Sequence, residues 1–143
     1  MKFSKAARPV IMGPNGMVSS GHYLASLAGV EILKEGGNAV DAALAAAFVS
    51  AVVKPETSGP GGDLFALVSM KKTGKVEALN SSGPAPARAS IEQFHQRGLK
   101  AIPQYGPLSI AVPGAVDGWL ELHKKYGTKD LARLTAAAVR IGR

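Results

Sequence analysis

The stretch Ala42–Val53 is apolar at every position except Ser50. Asp41 and Lys54 flank it, and it falls short of the ~18 apolar residues that a membrane-spanning helix needs. An alanine-rich helix that is apolar on most sides cannot lie on a surface and has to be sandwiched between layers. Asn38 is placed to cap it, Asp41 puts negative charge in its first turn, and Pro55 stops it. The rest of the chain must therefore supply elements to at least two sides of this helix.

The flanking sequence offers them. His22 to Glu35 reads as a helix with Tyr23, Leu27, Val30 and Leu33 near one face, ended by Gly36-Gly37. Before it, residues 1–15 read as an irregular segment and Gly16–Ser19 as a short strand. After the loop Glu56–Gly62, Asp63–Met70 reads as a strand. Its continuously apolar Leu64–Val68 predicts cover on both faces. Lys71–Gly74 is a turn, and Lys75–Asn80 the returning strand. Ser90 opens a short helix that ends at Gly98. A strand is expected over Ser109–Val112. A helix follows from Pro113 to Tyr126, with Val116, Trp119, His123 and Tyr126 on one side and Gly127 at its end. Thr128 is placed to cap a last helix, Lys129 to Ile141. Two strands covered on both sides suggest a layered α/β arrangement.

Composition removes several function classes. The chain has 143 residues and no cysteine, which excludes disulfide scaffolds, cysteine nucleophiles and thiolate metal sites. Hydrophobic residues at 46% and charged ones at 19% argue against disorder. The formal charge of +7 is dispersed, with no basic run longer than two, and aromatic residues are only 6%. A solvated basic surface is expected and no nucleic-acid partner. A basic module that holds an acidic partner is the competing reading. The first residues lack the apolar core of a signal peptide, so a cytoplasmic chain without a membrane anchor is expected.

Catalytic motifs are incomplete. No G-x-S-x-G elbow is present. Ser69-Met70-Lys71-Lys72 and Lys72-Thr73-Gly74 imitate the two motifs of a penicillin-binding enzyme but share one lysine, on a strand end and its turn. His22, His95 and His123 lack metal-ligand spacing and read as surface or half-buried side chains. Gly59-Pro60-Gly61-Gly62 sits between a helix and a strand, the wrong order for a phosphate loop. It reads as a connection whose backbone packs closely against a neighbouring segment or rims an active site. Such punctuation belongs to an enzyme scaffold whose chemistry lies elsewhere.

The order of blocks is more specific than any single motif. Gly16–His22, the run Ala28–Ala43 with its Gly-Gly-Asn-Ala-Val-Asp-Ala-Ala core, Ser58–Phe65, Val112–Trp119 and Lys125–Thr128 follow one another. In that order they resemble the front of the large subunit of the γ-glutamyltransferase (γ-glutamyl transpeptidase) family. The resemblance implies an α+β fold, the four-layer αββα sandwich of an N-terminal-nucleophile (Ntn) hydrolase, incomplete in this chain, with residues 16–143 as the N-terminal part of the large-subunit domain and no metal or organic cofactor. It implies a precursor that cuts itself into two subunits, the small subunit being this chain's partner. The new N-terminal threonine of that subunit is the nucleophile, activated by its own amine, and the substrate is a γ-glutamyl or related amide.

On this reading the nucleophile lies beyond Arg143, and no catalytic residue is assigned among Thr57, Thr73, Thr128 and Thr135. The chain alone is expected to be inactive, and to self-associate through uncovered strand edges and apolar helix surface. The family's arginine for the substrate α-carboxylate aligns with Ser82. Ser82, with Ser81 and Gly83, is the candidate substrate-binding turn, although a hydroxyl lacks the two-pronged grip of a guanidinium. This places the chain nearest the divergent, γ-glutamyltransferase-like branch. Arg88, a few residues on, is the one nearby substitute for the arginine.

Overall fold

A computed structural model describes residues 10–143. Residues 1–9 of the expected irregular segment lie outside the described residues, and residues 10–15 carry neither helix nor strand. Eight elements follow in order: α1 Tyr23–Lys34, α2 Ala39–Val53, β1 Leu64–Met70, β2 Lys75–Ser81, α3 Ile91–Gln96, a 3-10 turn Pro107–Ser109, α4 Ala115–Tyr126 and α5 Leu131–Ile141. No described helix is long and apolar enough to cross a membrane.

The alanine-rich helix is the hub, as its composition requires. α2 divides two packed clusters. On one side Leu44 and Ala45 meet Trp119 and Leu122 of α4, Leu134 of α5 and the inner face of the hairpin. On the other Ala46 and Val49 meet Ala25 and Ala28 of α1 and Ala137 and Ala138 of α5. Phe48 borders both clusters and packs edge-on against Trp119, ring centroids 5.2 Å apart. The sandwich is not closed all round: Ala43 and Val52 remain exposed.

The start of α2 is fixed by a polar knot. The Asn38 side chain accepts from the backbone N–H groups of Val40 and Asp41, and Asp41 returns the bond to Asn38 N, a capping box. Asp41 is fully buried and also accepts from Thr128 N at 2.9 Å, the Thr128 hydroxyl and Lys129 N. Asn38 Nδ2 donates to the Tyr126 carbonyl at 2.6 Å. One carboxylate thus joins the first turn of α2 to the link between α4 and α5. Glu35, just past α1, forks onto Arg133 of α5 and strengthens the same corner.

Several expected features take another form. Thr128 does not cap α5. Its hydroxyl is committed to Asp41, and Asp130 occupies the cap position without a side-chain bond. α1 turns Tyr23 and Leu27 outward, 74% and 50% exposed, and buries Ala25, Ala28, Gly29 and Ile32. Small residues go inward because the alanine surface of α2 allows the two backbones to approach closely. α4 likewise buries Ala115, Gly118, Trp119 and Leu122 and leaves Val116 outside. It begins at Ala115, because the N–H groups of Gly114 and Ala115 are both held by Gly62 O. Gly16–Ser19 and Ser109–Val112 form no strands. Val112 gives its N–H to Pro84 O, and β1 and β2 pair only with each other.

The hairpin is antiparallel, from Leu64 opposite Ser81 to Met70 opposite Lys75. Its apolar run is covered on one face only. Leu64, Ala66, Val68 and Leu79 pack toward α2 and α4, while Phe65 and Leu67 are 69% and 78% exposed. One helical layer lies against the strands, so period-two burial appears where continuous burial was expected. Gly36 takes φ +78°, the left-handed conformation expected at the end of α1.

Burial drives the Asp41 carboxyl up, but the Thr128 hydroxyl and the three backbone donors outweigh it and hold it below the usual range. A lowered folded-state value makes this stabilisation full above pH ~4 and drains it as pH falls further. Asp41→Asn is expected to cost about 3 kcal/mol at pH 7, and the loss on acidification from pH 5 to 3 is expected to shrink in the variant. Urea unfolding at both pH values checks this. Equal acid sensitivity of both proteins would contradict it.

Candidate functional site

The candidate turn stands at the end of the hairpin where three segments are tied together. Ser81 ends β2, Gly62 and Asp63 lead into β1, and Val112–Ala115 leads into α4. The Ser81 hydroxyl donates to Gly114 O at 2.8 Å. Gly62 O accepts from Gly114 N at 3.1 Å and Ala115 N at 2.9 Å. Val112 N donates to Pro84 O at 3.1 Å, and Gly83 N donates to Asp63 Oδ1 at 3.3 Å. Backbones meet so closely here that a Cβ on Gly83 would lie 1.3 Å from Val112 O, and one on Gly114 2.2 Å from Ser81 O. No side chain fits at either position.

The three candidates therefore differ in role. Ser81 is half-buried and ties β2 to α4. Gly83 is the crossing point. Ser82 is exposed, and its backbone N–H is fixed by the Asn80 side chain at 3.0 Å. Ser82 alone is free to face a ligand. Asp63 and Asn80 were not singled out from the sequence, yet both hold this turn. Asp63 signals itself only as an acid directly after the glycine loop, and its contact with Gly83 spans twenty residues.

Beside the junction, the loop Pro55–Gly62 with Asp63, Phe65 and Trp119 lines an open cleft of about 670 Å³. The glycine loop rims this cleft. Close packing, the other expectation, holds only at Gly62, through its carbonyl. A Cβ on Gly59 or Gly61 would meet nothing within 4 Å. Asp63 and Glu56 give the cleft its charge, and no guanidinium lines it. Arg88 lines a different groove and does not stand in for the arginine here.

Nucleophile candidates inside the chain are occupied or isolated. The four threonine hydroxyls go to Asp41 (Thr128), Leu131 O (Thr135), Lys54 O (Thr57) and Met70 O (Thr73). Ser69 is exposed on β1 and Lys72 lies in the following turn, with no hydrogen bond between them among the described residues. His22 caps α1 through Nδ1, and His123 Nε2 lies 2.8 Å from Lys129 O. No cluster of metal-ligating side chains occurs among the described residues. Gly83→Ala is expected to destabilise the chain by about 3 kcal/mol through backbone overlap, and Ser82→Ala by less than ~0.5 kcal/mol. Denaturant midpoints distinguish them; equal midpoints would mean that the junction is not tight.

The sequence profile of the gamma-glutamyltranspeptidase family matches residues 25–143. The chain is 43% identical over 123 residues to the glutathione hydrolase-like YwrD proenzyme of Bacillus subtilis (strain 168), covering 85% of this chain and 23% of that protein. It is 41% identical over 108 residues to the oxamate amidohydrolase proenzyme of Klebsiella pneumoniae, covering 75% of this chain and 20% of that one. The structure matches Helicobacter pylori gamma-glutamyltranspeptidase with a TM-score of 0.83 at 38% identity, over 93% of this chain and 39% of that chain. The chain thus spans under a quarter of the length of these curated relatives, and its α+β architecture is part of an Ntn-hydrolase fold. A family match over most of the chain, joined to this shared fold, shows that the chain belongs to the gamma-glutamyltranspeptidase family.

Proposed function

We propose that the chain is the front of the large subunit of an autoprocessed amide hydrolase or acyltransferase, and that it acts as scaffold and substrate rim. One observation carries this. The chain folds as the family folds and holds the Ser81–Gly83 turn beside a cleft, yet the Thr128 and Thr135 hydroxyls are committed to structural acceptors, and Thr57 and Thr73 make only long contacts to backbone carbonyls in exposed turns. The nucleophile then comes from another segment of the same precursor, in keeping with the relatives' names as proenzymes. A threonine at a new N-terminus would use its own amine as base, and backbone N–H groups would hold the oxyanion.

The substrate is an amide of a γ-glutamyl or related acyl group. Ser82 contributes a hydroxyl in place of the family arginine, and Asp63 places a carboxylate one residue away at Gly83. That turn does not offer a carboxylate the paired, charge-assisted bonds it would seek. The two curated relatives carry different substrates in their names, which fits a common scaffold with a variable rim.

The test is hydrolysis of γ-glutamyl-p-nitroanilide and of simple acyl anilides, first by this chain alone and then by the chain co-expressed with the segment encoded downstream of Arg143. No turnover by the chain alone and turnover with a threonine-led partner are expected. Turnover by the chain alone, or the lack of a threonine-led segment in any downstream frame, would overturn the proposal.

A further inference from the structure

Between β2 and α4 the chain makes an excursion whose charge is one-sided. From Ser82 to Pro113 it carries Arg88, Arg97 and Lys100 against a single acid, Glu92. Glu92 stands in the first turn of α3, where its own backbone N–H and the Ser90 hydroxyl hold its carboxyl below the usual range. It is committed to that helix end and does not neutralise the arginines. Among the described residues neither Arg88 nor Arg97 has an ion pair or a side-chain hydrogen bond.

Arg88 and Arg97 line one groove. Arg88, Gln93 and Arg97 line an opening of about 550 Å³ together with the apolar Phe94, Leu108 and Ile110. Gln93 and Arg97 lie one helical turn apart on α3 and its cap, so they face the same way. Ser90 caps α3 through Gln93 N, and Gly98 at φ +73° ends it, so the short helix has defined ends. No acidic side chain lines the groove. The cleft beside Ser82 has the opposite character, with Asp63 and Glu56 and no arginine.

We infer that this groove is a binding site for an organic carboxylate on an apolar body, with Arg88 and Arg97 gripping the carboxylate and Phe94, Leu108 and Ile110 covering the chain behind it. A guanidinium meets a carboxylate through two parallel N–H···O bonds, and its weak hydration makes it the cheaper cation to seat beside apolar walls. A bare anion would leave Phe94 and Ile110 facing water; a neutral chain would leave both guanidiniums unpaired. Only a ligand carrying both parts satisfies the whole groove. The site is separate from the Ser82 turn, and its test does not depend on acyl transfer.

The experiment is calorimetric titration of the chain with hexanoate, hexanol, acetate and inorganic phosphate at low salt. Hexanoate is expected to bind at least about tenfold more tightly than each of the other three. Arg88→Gln and Arg97→Gln are each expected to weaken hexanoate about tenfold, and Arg97→Lys to weaken it less, since it keeps the charge and loses the fork. Lys71→Gln with Lys72→Gln, a charge change twice as large in the exposed hairpin turn, is expected to leave binding unchanged. Circular dichroism confirms that each variant is folded, and Arg97→Lys serves if Arg97→Gln is not. Phosphate or hexanol binding as well as hexanoate would overturn the inference, as would equal weakening by the Lys71/Lys72 pair, which would reduce the effect to overall charge.

Discussion

The structure depends on one buried carboxylate. Asp41 lies at the start of the helix around which the other elements pack, and its oxygens accept from Asn38, Thr128 and Lys129. A charge removed from water is costly unless its bonds are replaced. Here they are replaced by groups that themselves need acceptors: the Thr128 hydroxyl and free N–H groups at a helix start and in an interhelical link. Asn38 completes the exchange by donating to the Tyr126 carbonyl at the end of α4. No buried side-chain nitrogen or oxygen among the described residues lacks a partner. The knot fixes where α4 ends and α5 begins relative to α2, and α4 in turn carries the junction that shapes the Ser81–Gly83 turn.

Local signals were legible in the sequence, and long-range ones were not. Asn38 as a cap, Gly36 as a helix end and Ser90 as the start of α3 are decided within a few residues, and all three stand as read. Thr128 had a local signature for capping α5, but a buried carboxylate 87 residues away in sequence claims its hydroxyl. α1 turns its larger apolar residues Tyr23 and Leu27 outward for a related reason, whereas on α4 Trp119 is buried as its stripe implies and only Val116 of that stripe is left outside. Large apolar residues mark an inward stripe when the opposite surface is large and apolar too. Against the alanines of α2, small residues such as Ala25, Ala28 and Gly29 win, because close backbone approach leaves fewer gaps than a bulky side chain held at a distance; Gly118 of α4 makes the same room for Ser81 and Leu64 of the hairpin.

The site was legible in part. The resemblance pointed to Ser81, Ser82 and Gly83, and the structure separates them into a tie, an exposed hydroxyl and a crossing point. What holds the turn is side-chain to backbone contact between distant segments, Asp63 with Gly83 and Ser81 with Gly114. Neither pair has a periodicity or a motif that would reveal it. The same holds for the arginine groove, which Arg88, two residues before the cap of α3, and Arg97, at its end, both line together with Leu108 and Ile110 from a later segment.

Two faces of the hairpin now carry different meanings. The inner face is packed on α2 and α4, and its end is bolted to α4 by backbone hydrogen bonds. The outer face leaves Phe65, Leu67 and Val76 to solvent, and a two-stranded sheet is marginal when it stands alone. The hairpin is therefore held by its helices, not by its own ladder. It follows that the Ser82 turn keeps its shape whatever covers the outer face, because every bond that defines it comes from residues 62–63, 80–84 and 112–115 of this same chain. A covering layer adds burial at Phe65 and Leu67 and can bring chemistry to the cleft, but it meets a rim already formed.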